Sequence, residues 1–214
     1  MTVHDTSSSR RTAGFYTVLP NTVNLNTFFV SYSSFTNLTT TLTASFVDVY
    51  NVTETSLVHL QSISVLPSES DPSNYRGDTL RLRPPSPKSS SPTHLFATTR
   101  GSDTSHKGFL AVFSILPTGL LSTHESKTER WQTPTSGGKA NAIELKAKVA
   151  EDASGSDPDV EGVWIVLTDD EPEGGGLWIL EWDGEESGEV KIVAEWEGDE
   201  GGSMDGASHA VWLD

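Results

Sequence analysis

Residues 93–142 contain the sequence pattern that decides the fold. Residues 93–101 read THLFATTRG, residues 108–117 read GFLAVFSILP, and residues 133–142 read TPTSGGKANA. The first two parts are runs of apolar and β-branched residues bounded by Gly, Ser and Pro, which is typical of strands rather than helices. Arg100 stands where the first run ends, and a Pro/Ser/Gly turn precedes the third part. The stretch therefore predicts two strands joined by a polar loop, then a turn that leads into a new group of strands.

The same pattern returns later in the chain. Residues 95–99 match residues 163–167, residues 108–112 match residues 176–180, and both matches are offset by 68 residues. Repeated four-stranded units without helices are typical of β-propeller blades. We therefore predict an all-β fold, an incomplete β-propeller with about three four-stranded antiparallel blades of a larger propeller. A plain β-sandwich is the alternative, because hairpins alone do not reveal a radial arrangement.

The strand pattern also divides the chain into units. Within a partial propeller at residues 41–214, we predict blade-like units at residues 41–66, 75–132 and 140–197 and a closing strand at residues 209–213. The first 40 residues give no clear pattern and form a poorly determined N-terminal segment.

Composition limits the classes of function. The chain has 214 residues, a formal net charge of -16 and no cysteine. Without cysteine, neither disulfides nor thiolate-bound zinc can hold the fold, and a cysteine nucleophile is excluded. A strongly acidic surface repels phosphate backbones, so nucleic acid is not expected as a partner. An anionic ligand would need a local basic pocket within this negative field.

The sequence gives no sign of a membrane segment. No apolar run approaches the roughly 20 residues of a membrane span, and no secretory leader pattern follows Met1. We therefore expect a soluble, cytoplasmic protein without a membrane partner.

Six short motifs resemble a known family in their order and spacing. They are YRGD at 75–78, FATTR at 96–100, GFLAVF at 108–113, PTSGG at 134–138 followed by NA at 141–142, LTDD at 167–170, and HAVWLD at 209–214. Together they resemble the closing part of the fungal carboxy-cis,cis-muconate cyclases (3-carboxymuconate lactonising enzymes) of the seven-bladed β-propeller lactonase family. The resemblance covers only the last blades. It implies an isomerase that closes a lactone within a muconate polycarboxylate, with no metal or organic cofactor.

The resemblance also implies site residues. The family places an arginine at the end of a blade's second strand, beside the central channel, and Arg100 falls on that position as a catalytic and substrate-binding candidate. Arg76 is a second substrate-binding candidate, with a salt bridge to Asp78 or to a loop carboxylate as the alternative. Lys139 stands where the family typically has histidine and could attract an anion, and Asn141 could orient a carboxylate or cap the start of a strand. The partner implied is a small polycarboxylate, which the planar fork of arginine binds well.

Part of the family's site has no match in this sequence. Family members use a histidine, an arginine and a glutamate from earlier blades, and residues 29–37, which correspond to the glutamate region, contain no acid. Without a placed acid or base, a general acid–base contribution of about 100- to 10,000-fold is lost, so we expect little or no activity from this chain alone.

Three functions stay open on this evidence. They are a muconate-cyclase-like isomerase, a noncatalytic propeller fragment that acts as a binding surface, and a sugar-lactone hydrolase of the wider family. Because about three blades cannot close a ring, we also expect self-association through uncovered blade faces. The six histidines show no metal-binding spacing, and the acidic residues 169–171 are interpreted as a solvated turn.

Overall fold

The fold consists almost entirely of antiparallel β-strands. The computed structural model describes residues 12–13, 17–21, 27–35, 42–53, 55–85, 91–124, 128–139, 141–148, 162–184, 188–196 and 208–213. Within these ranges the chain forms 13 strands and one short 3-10 turn at Pro72–Asn74, and it forms no α-helix. The strands are arranged in three separate sheets.

The first sheet has five strands, two of which pair with different parts of the same edge of a third strand. Its strands are β1 (Thr12–Ala13), β2 (Thr17–Asn21), β3 (Thr27–Phe35), β4 (Leu42–Val52) and β5 (Leu57–Ser64). Strands β1 and β2 pair with different parts of β3, and β4 and β5 follow in order on the other side. Residues 1–40, which gave no clear pattern, thus contribute three of the strands.

The second and third sheets are four-stranded meanders of the same design. The second contains β6 (Tyr75–Leu82), β7 (His94–Gly101), β8 (Phe109–Ser114) and β9 (Thr128–Gln132). The third contains β10 (Asn141–Ala147), β11 (Val163–Asp169), β12 (Gly176–Trp182) and β13 (Val190–Trp196). Each strand pairs with the next one along the chain, so both sheets run in simple sequence order.

The hydrophobic core lies between the sheets, because successive side chains of a strand point to opposite faces. On β7, Leu95 and Ala97 join a cluster with Val47 and Val49 of the first sheet. The neighbouring Phe96 faces the other way, into a cluster that contains much of the third sheet. The second sheet is therefore packed on both faces, which explains why its β7 and β8 are almost wholly buried.

The arrangement of inner and outer strands is that of propeller blades. The second and third sheets approach each other mainly through their first strands, where β6 lies beside β10. Arg81 of β6 donates from Nε to the Glu144 carboxylate of β10 over 2.8 Å across this junction. At the opposite edge, β13 is exposed along nearly its whole length. The prediction of an all-β, incomplete propeller-like fold is therefore confirmed.

Residues 209–213 differ from the sequence prediction, since the described residues 208–213 form no strand. A strand needs a neighbouring edge to pair with. This segment contacts the third sheet through a side chain instead: Trp212 Nε1 donates to the Glu144 carbonyl oxygen over 3.3 Å, and Lys146 Nζ lies 5.9 Å from the Trp212 ring centroid.

No helix in the described ranges has the length and apolar character needed to cross a lipid bilayer.

Candidate functional site

Two arginines lie side by side where the second sheet meets the third. Arg76 near the start of β6 and Arg100 near the end of β7 are directly opposed in the strand register, so their side chains share one face. Along β7 this face is directed at the third sheet, because Phe96 packs there and Thr98 donates to the Asn141 carbonyl oxygen. Like charges placed directly opposite each other are destabilising, so this pair costs stability unless something balances it.

The turn between the second and third sheets holds the Arg100 guanidinium. Arg100 Nη1 donates to the carbonyl oxygens of Gly138, over 3.4 Å, and Lys139. Gly137 and Gly138 have φ values of +89° and +53°, which favour glycine. A Cβ atom on Gly137 would also lie 2.8 Å from Asn141 Cβ and 3.0 Å from Arg100 Cβ. The glycine pair therefore lets the turn close tightly over Arg100.

Asn141 forms the buried floor of this group. Its Nδ2 donates to the Thr99 carbonyl oxygen over 2.9 Å, and its backbone N–H donates to Asp78 Oδ2 over 2.6 Å. The side chain is fully buried. These bonds fix the start of β10 against the ends of β6 and β7, which is the strand-capping role considered for Asn141.

Three polar atoms of this group lack a partner in the described part of the chain. They are Nε of Arg76, Nε of Arg100 and Oδ1 of Asn141, and all three are buried. Buried polar atoms nearly always have a hydrogen-bond partner, so three exceptions in one place need an explanation. Two N–H donors and one acceptor are suited to a ligand that carries carboxylate oxygens and a proton donor.

The third sheet does not repeat the arginine pair. The first pair of opposed residues is Tyr75 with Gly101 in the second sheet and Asn141 with Asp169 in the third. The next pair is Arg76 with Arg100 in the second sheet, but Ala142 with Thr168 in the third. The blade architecture is therefore stable without two arginines at this position. Of these two meanders, only the second sheet carries the arginine pair.

Acidic residues of the third sheet hold the same turn from the other side. Thr135 Oγ1 donates to Asp169 Oδ2, Ser136 Oγ donates to Glu171 Oε2, and the Lys139 N–H donates to Asp170 Oδ1. Asp169 and Glu171 are buried, so the interpretation of residues 169–171 as a solvated turn is wrong. These carboxylates satisfy hydroxyl groups about 35 residues earlier in the chain, a pairing that local sequence does not reveal.

Asp78 is a further acid of the group, and the sequence predicts for it only a possible salt bridge to Arg76. The register of β6 against β7 shifts between Gly77 and Leu80, and such bulges redirect side chains. Here Asp78 is directed at the Asn141 N–H. Burial raises the pKa of Asp78 above 3.8, while the bond from Asn141 and the positive charges of Arg100 and His209 oppose the rise.

The structure brings all four predicted site residues into one region. Arg76, Arg100 and Asn141 line it, and Lys139 lies at its rim with an exposed side chain. The role of each in substrate binding stays a prediction. Among the described residues, no group of three or more His, Asp or Glu side chains is placed to hold a metal ion.

The turn provides a direct stability test at Gly137. Gly137→Ala should lower the free energy of unfolding by more than the about 1–2 kcal/mol of a left-handed backbone, because the new Cβ also meets Asn141 and Arg100. Gly188→Ala is the matched control, since Gly188 has φ +68° and nothing within 4 Å of its Cβ position. Urea unfolding measures both variants, and equal losses would contradict the tight closure over Arg100.

The buried Asp169 should leave a signature in the pH dependence of stability. Burial raises the pKa of Asp169 above 3.8, only partly offset by Thr135 and the Glu171 N–H. Just above pH 3.8 the Asp169 carboxyl therefore keeps its proton in the folded state but loses it in the unfolded state. This difference stabilises the folded state, and the free energy of unfolding falls as the pH rises towards the pKa of Asp169 in the folded state. Urea unfolding at several pH values from 4 to 7 should show a smaller fall in Asp169→Asn than in Asp170→Asn or the wild type. An unchanged slope in Asp169→Asn would count against this assignment.

The fold and the site together define a class, that of propeller-like all-β proteins with two opposed arginines where two blades meet. The chain is similar to Muconate cycloisomerase 1 of Cutaneotrichosporon cutaneum, with 31% identity over 129 residues, which are 60% of this chain and 30% of that protein. This chain thus corresponds to less than a third of the relative's length. Among solved structures, a protein from Lactobacillus plantarum matches with a TM-score of 0.43 and 12% identity, over 86% of this chain and 55% of the other. No protein-family model matches the chain.

Proposed function

We propose that this chain carries the carboxylate-binding part of a muconate-cycloisomerase-like enzyme of the carboxy-cis,cis-muconate cyclase type. The observation that carries the proposal is the Arg76–Arg100 pair, whose buried Nε donors lack partners in the described part of the chain. The sequence similarity to a muconate cycloisomerase supports the substrate class.

Charge explains why two arginines are needed. The chain has a formal net charge of -16, so the long-range field repels an anion. Two guanidinium groups on one face offset this repulsion locally, and each can hold a carboxylate through two parallel hydrogen bonds. A bound carboxylate would in turn remove the repulsion between the two arginines. Lys139 is exposed beside this region and adds a third positive charge on the approach to the arginine pair.

The reaction class needs orientation more than a cofactor. In lactone closure one carboxylate oxygen of the substrate adds to a carbon–carbon double bond of the same molecule, and a proton is delivered to the neighbouring carbon. Arg76 and Arg100 would hold the remaining carboxylates, so that the reacting carboxylate stays next to the double bond. Positioning of this kind can contribute several kcal/mol to a rate enhancement.

The proposal is tested by ligand binding and turnover on the same protein. Isothermal titration calorimetry with propane-1,2,3-tricarboxylate should show a single site, and acetate should bind far more weakly because it engages one arginine. Added 3-carboxymuconate should lose its diene ultraviolet absorption if the chain also catalyses ring closure. Binding without turnover would identify a noncatalytic anion-binding unit, and the absence of tricarboxylate binding would overturn the proposal.

We also propose that the chain self-associates through its outermost strands. Val58 and Leu60 on β5 are 45% and 47% exposed, and Trp196 on β13 is 50% exposed. Exposed apolar strand edges are ready templates for pairing with another chain. Sedimentation velocity should show concentration-dependent oligomers that Leu60→Lys and Trp196→Lys reduce. Leu116→Lys, a change at an exposed leucine outside these strands, is the control, and a compact monomer at all concentrations would contradict the proposal.

A further inference from the structure

Asp78 competes with any anion for the same positive charge. It lies in the register shift of β6, two residues after Arg76, and Arg100 of β7 attracts its negative charge. A carboxylate ligand held by the two arginines would therefore be placed beside a second, fixed carboxylate. Two neighbouring carboxylates that share one site cannot both stay ionised without a large cost.

The groups named around Asp78 come from five parts of the chain. Asn141 at the start of β10 donates its backbone N–H to Asp78 Oδ2 over 2.6 Å. His209 in the C-terminal segment also attracts the carboxylate, and Asp170 after β11 repels it. Arg76 lies on the same strand as Asp78 and Arg100 on its neighbour. One added anion would therefore change the balance of charge around Asp78.

We infer that Asp78 is the proton-accepting residue of the site, so that binding of a polycarboxylate between Arg76 and Arg100 is accompanied by uptake of one proton from solvent by Asp78. The proton converts the Asp78 carboxylate to a neutral carboxyl group, and no other bond changes. This inference rests on the proposed function, because it requires an anion at the arginine pair.

Burial prepares Asp78 for this role. The carboxyl already has a raised pKa in the free protein because it is desolvated, and a bound anion would raise the pKa further. A neutral Asp78 also becomes a hydrogen-bond donor, which a carboxylate oxygen of the ligand can accept. The position thus supplies a titratable acid next to Asn141 and the arginine pair.

Proton uptake is measured directly by calorimetry. Titration of the 214-residue chain with propane-1,2,3-tricarboxylate in two buffers of different ionisation enthalpy gives the number of protons bound per ligand. We expect uptake that approaches about one proton as pH is lowered from 8 towards 5, and tighter binding at the lower pH. The ligand's own carboxylates also take up protons, so each value is compared with that of Asp78→Asn. Equal uptake in both proteins would overturn the inference.

The direction of the affinity change separates this role from a purely structural one. Asp78→Asn keeps an oxygen for the Asn141 N–H but removes the negative charge. At pH 8 this variant should bind the tricarboxylate more tightly than the wild type, by about tenfold for each unit that the ligand adds to the pKa of Asp78. If Asp78 only supports Asn141, the variant should bind equally or more weakly, and that result would refute the inference.

His209 requires its own control, because an added anion would also favour its protonated form. His209→Gln should retain the difference in proton uptake from Asp78→Asn. Loss of that difference in His209→Gln would assign the proton to the histidine instead. Circular dichroism shows whether Asp78→Asn folds. If it does not fold, proton uptake is measured in the wild type and in His209→Gln, and uptake no greater than that of the ligand itself in these two proteins would reject the role of Asp78. A complete absence of binding in the wild type would instead reject the proposed function.

Discussion

Arg100→Gln is expected to weaken binding of propane-1,2,3-tricarboxylate by about 10- to 100-fold, the effect of losing hydrogen bonds from a charged group. The glutamine removes the charge and the guanidinium fork but keeps a side-chain amide that can donate a hydrogen bond. Arg100→Lys should give an intermediate affinity, because lysine keeps the charge but not the planar fork. Calorimetry at pH 7 measures all three proteins.

Arg81→Gln is the matched control for this prediction. Arg81 lies on β6 like Arg76, but it pairs with Glu144 and is distant from the turn at residues 137–139. Its removal changes net charge by the same amount, so it reports the general electrostatic effect alone. Similar losses of affinity in Arg81→Gln and Arg100→Gln would show that bulk charge, rather than the arginine pair, attracts the ligand.

Trp182→Ala is expected to destabilise the fold by about 3–5 kcal/mol, the usual cost of removing a large buried aromatic side chain. Trp182 is only 2% exposed. Its ring lies 4.7 Å from the His94 ring and 5.4 Å from the Phe96 ring, measured between centroids. Because those partners belong to the second sheet, the substitution opens a cavity between two blades. Urea unfolding measures the loss.

Two further variants test the reason for this effect. Trp196→Ala removes the same side chain at a 50% exposed position, so in a protein solution too dilute to form oligomers its effect should stay within about 0.5 kcal/mol. Trp182→Phe keeps an aromatic ring and removes the indole N–H, which is buried without a partner in the described ranges, so it should cost much less than alanine. A similar loss in Trp182→Ala and Trp196→Ala would contradict the stacking of the second and third sheets.

The sequence predicts the sheets well because their signal is local. Alternation within one strand places Leu95 and Phe96 on opposite faces. Each strand of the two meanders is recognised from its own residues, and the 68-residue offset then shows that the two meanders have the same order of strands. The strand predicted at residues 209–213 is absent from the described residues because pairing depends on a neighbouring edge, which is not a property of the segment itself.

The candidate site was only partly predictable for a similar reason. Arg100 and Asn141 are visible at strand ends, and the fold then brings them together. The burial of Asp169 depends on hydroxyl groups that the fold supplies from a distant turn. The orientation of Asp78 depends on a register shift against β7, which no local pattern announces.

The linker between the second and third sheets sets the order in which the site can be made during translation. The last strand of the second sheet ends at Gln132. The carbonyl oxygens that accept hydrogen bonds from Arg100 come later, at residues 138 and 139, and the carboxylates that bind this linker come later still, at residues 169–171. Domains fold progressively as the ribosome releases them. A nascent chain that ends shortly after Gln132 therefore has every strand of its blade but not the turn that holds Arg100, and this turn is fixed only when the following blade emerges.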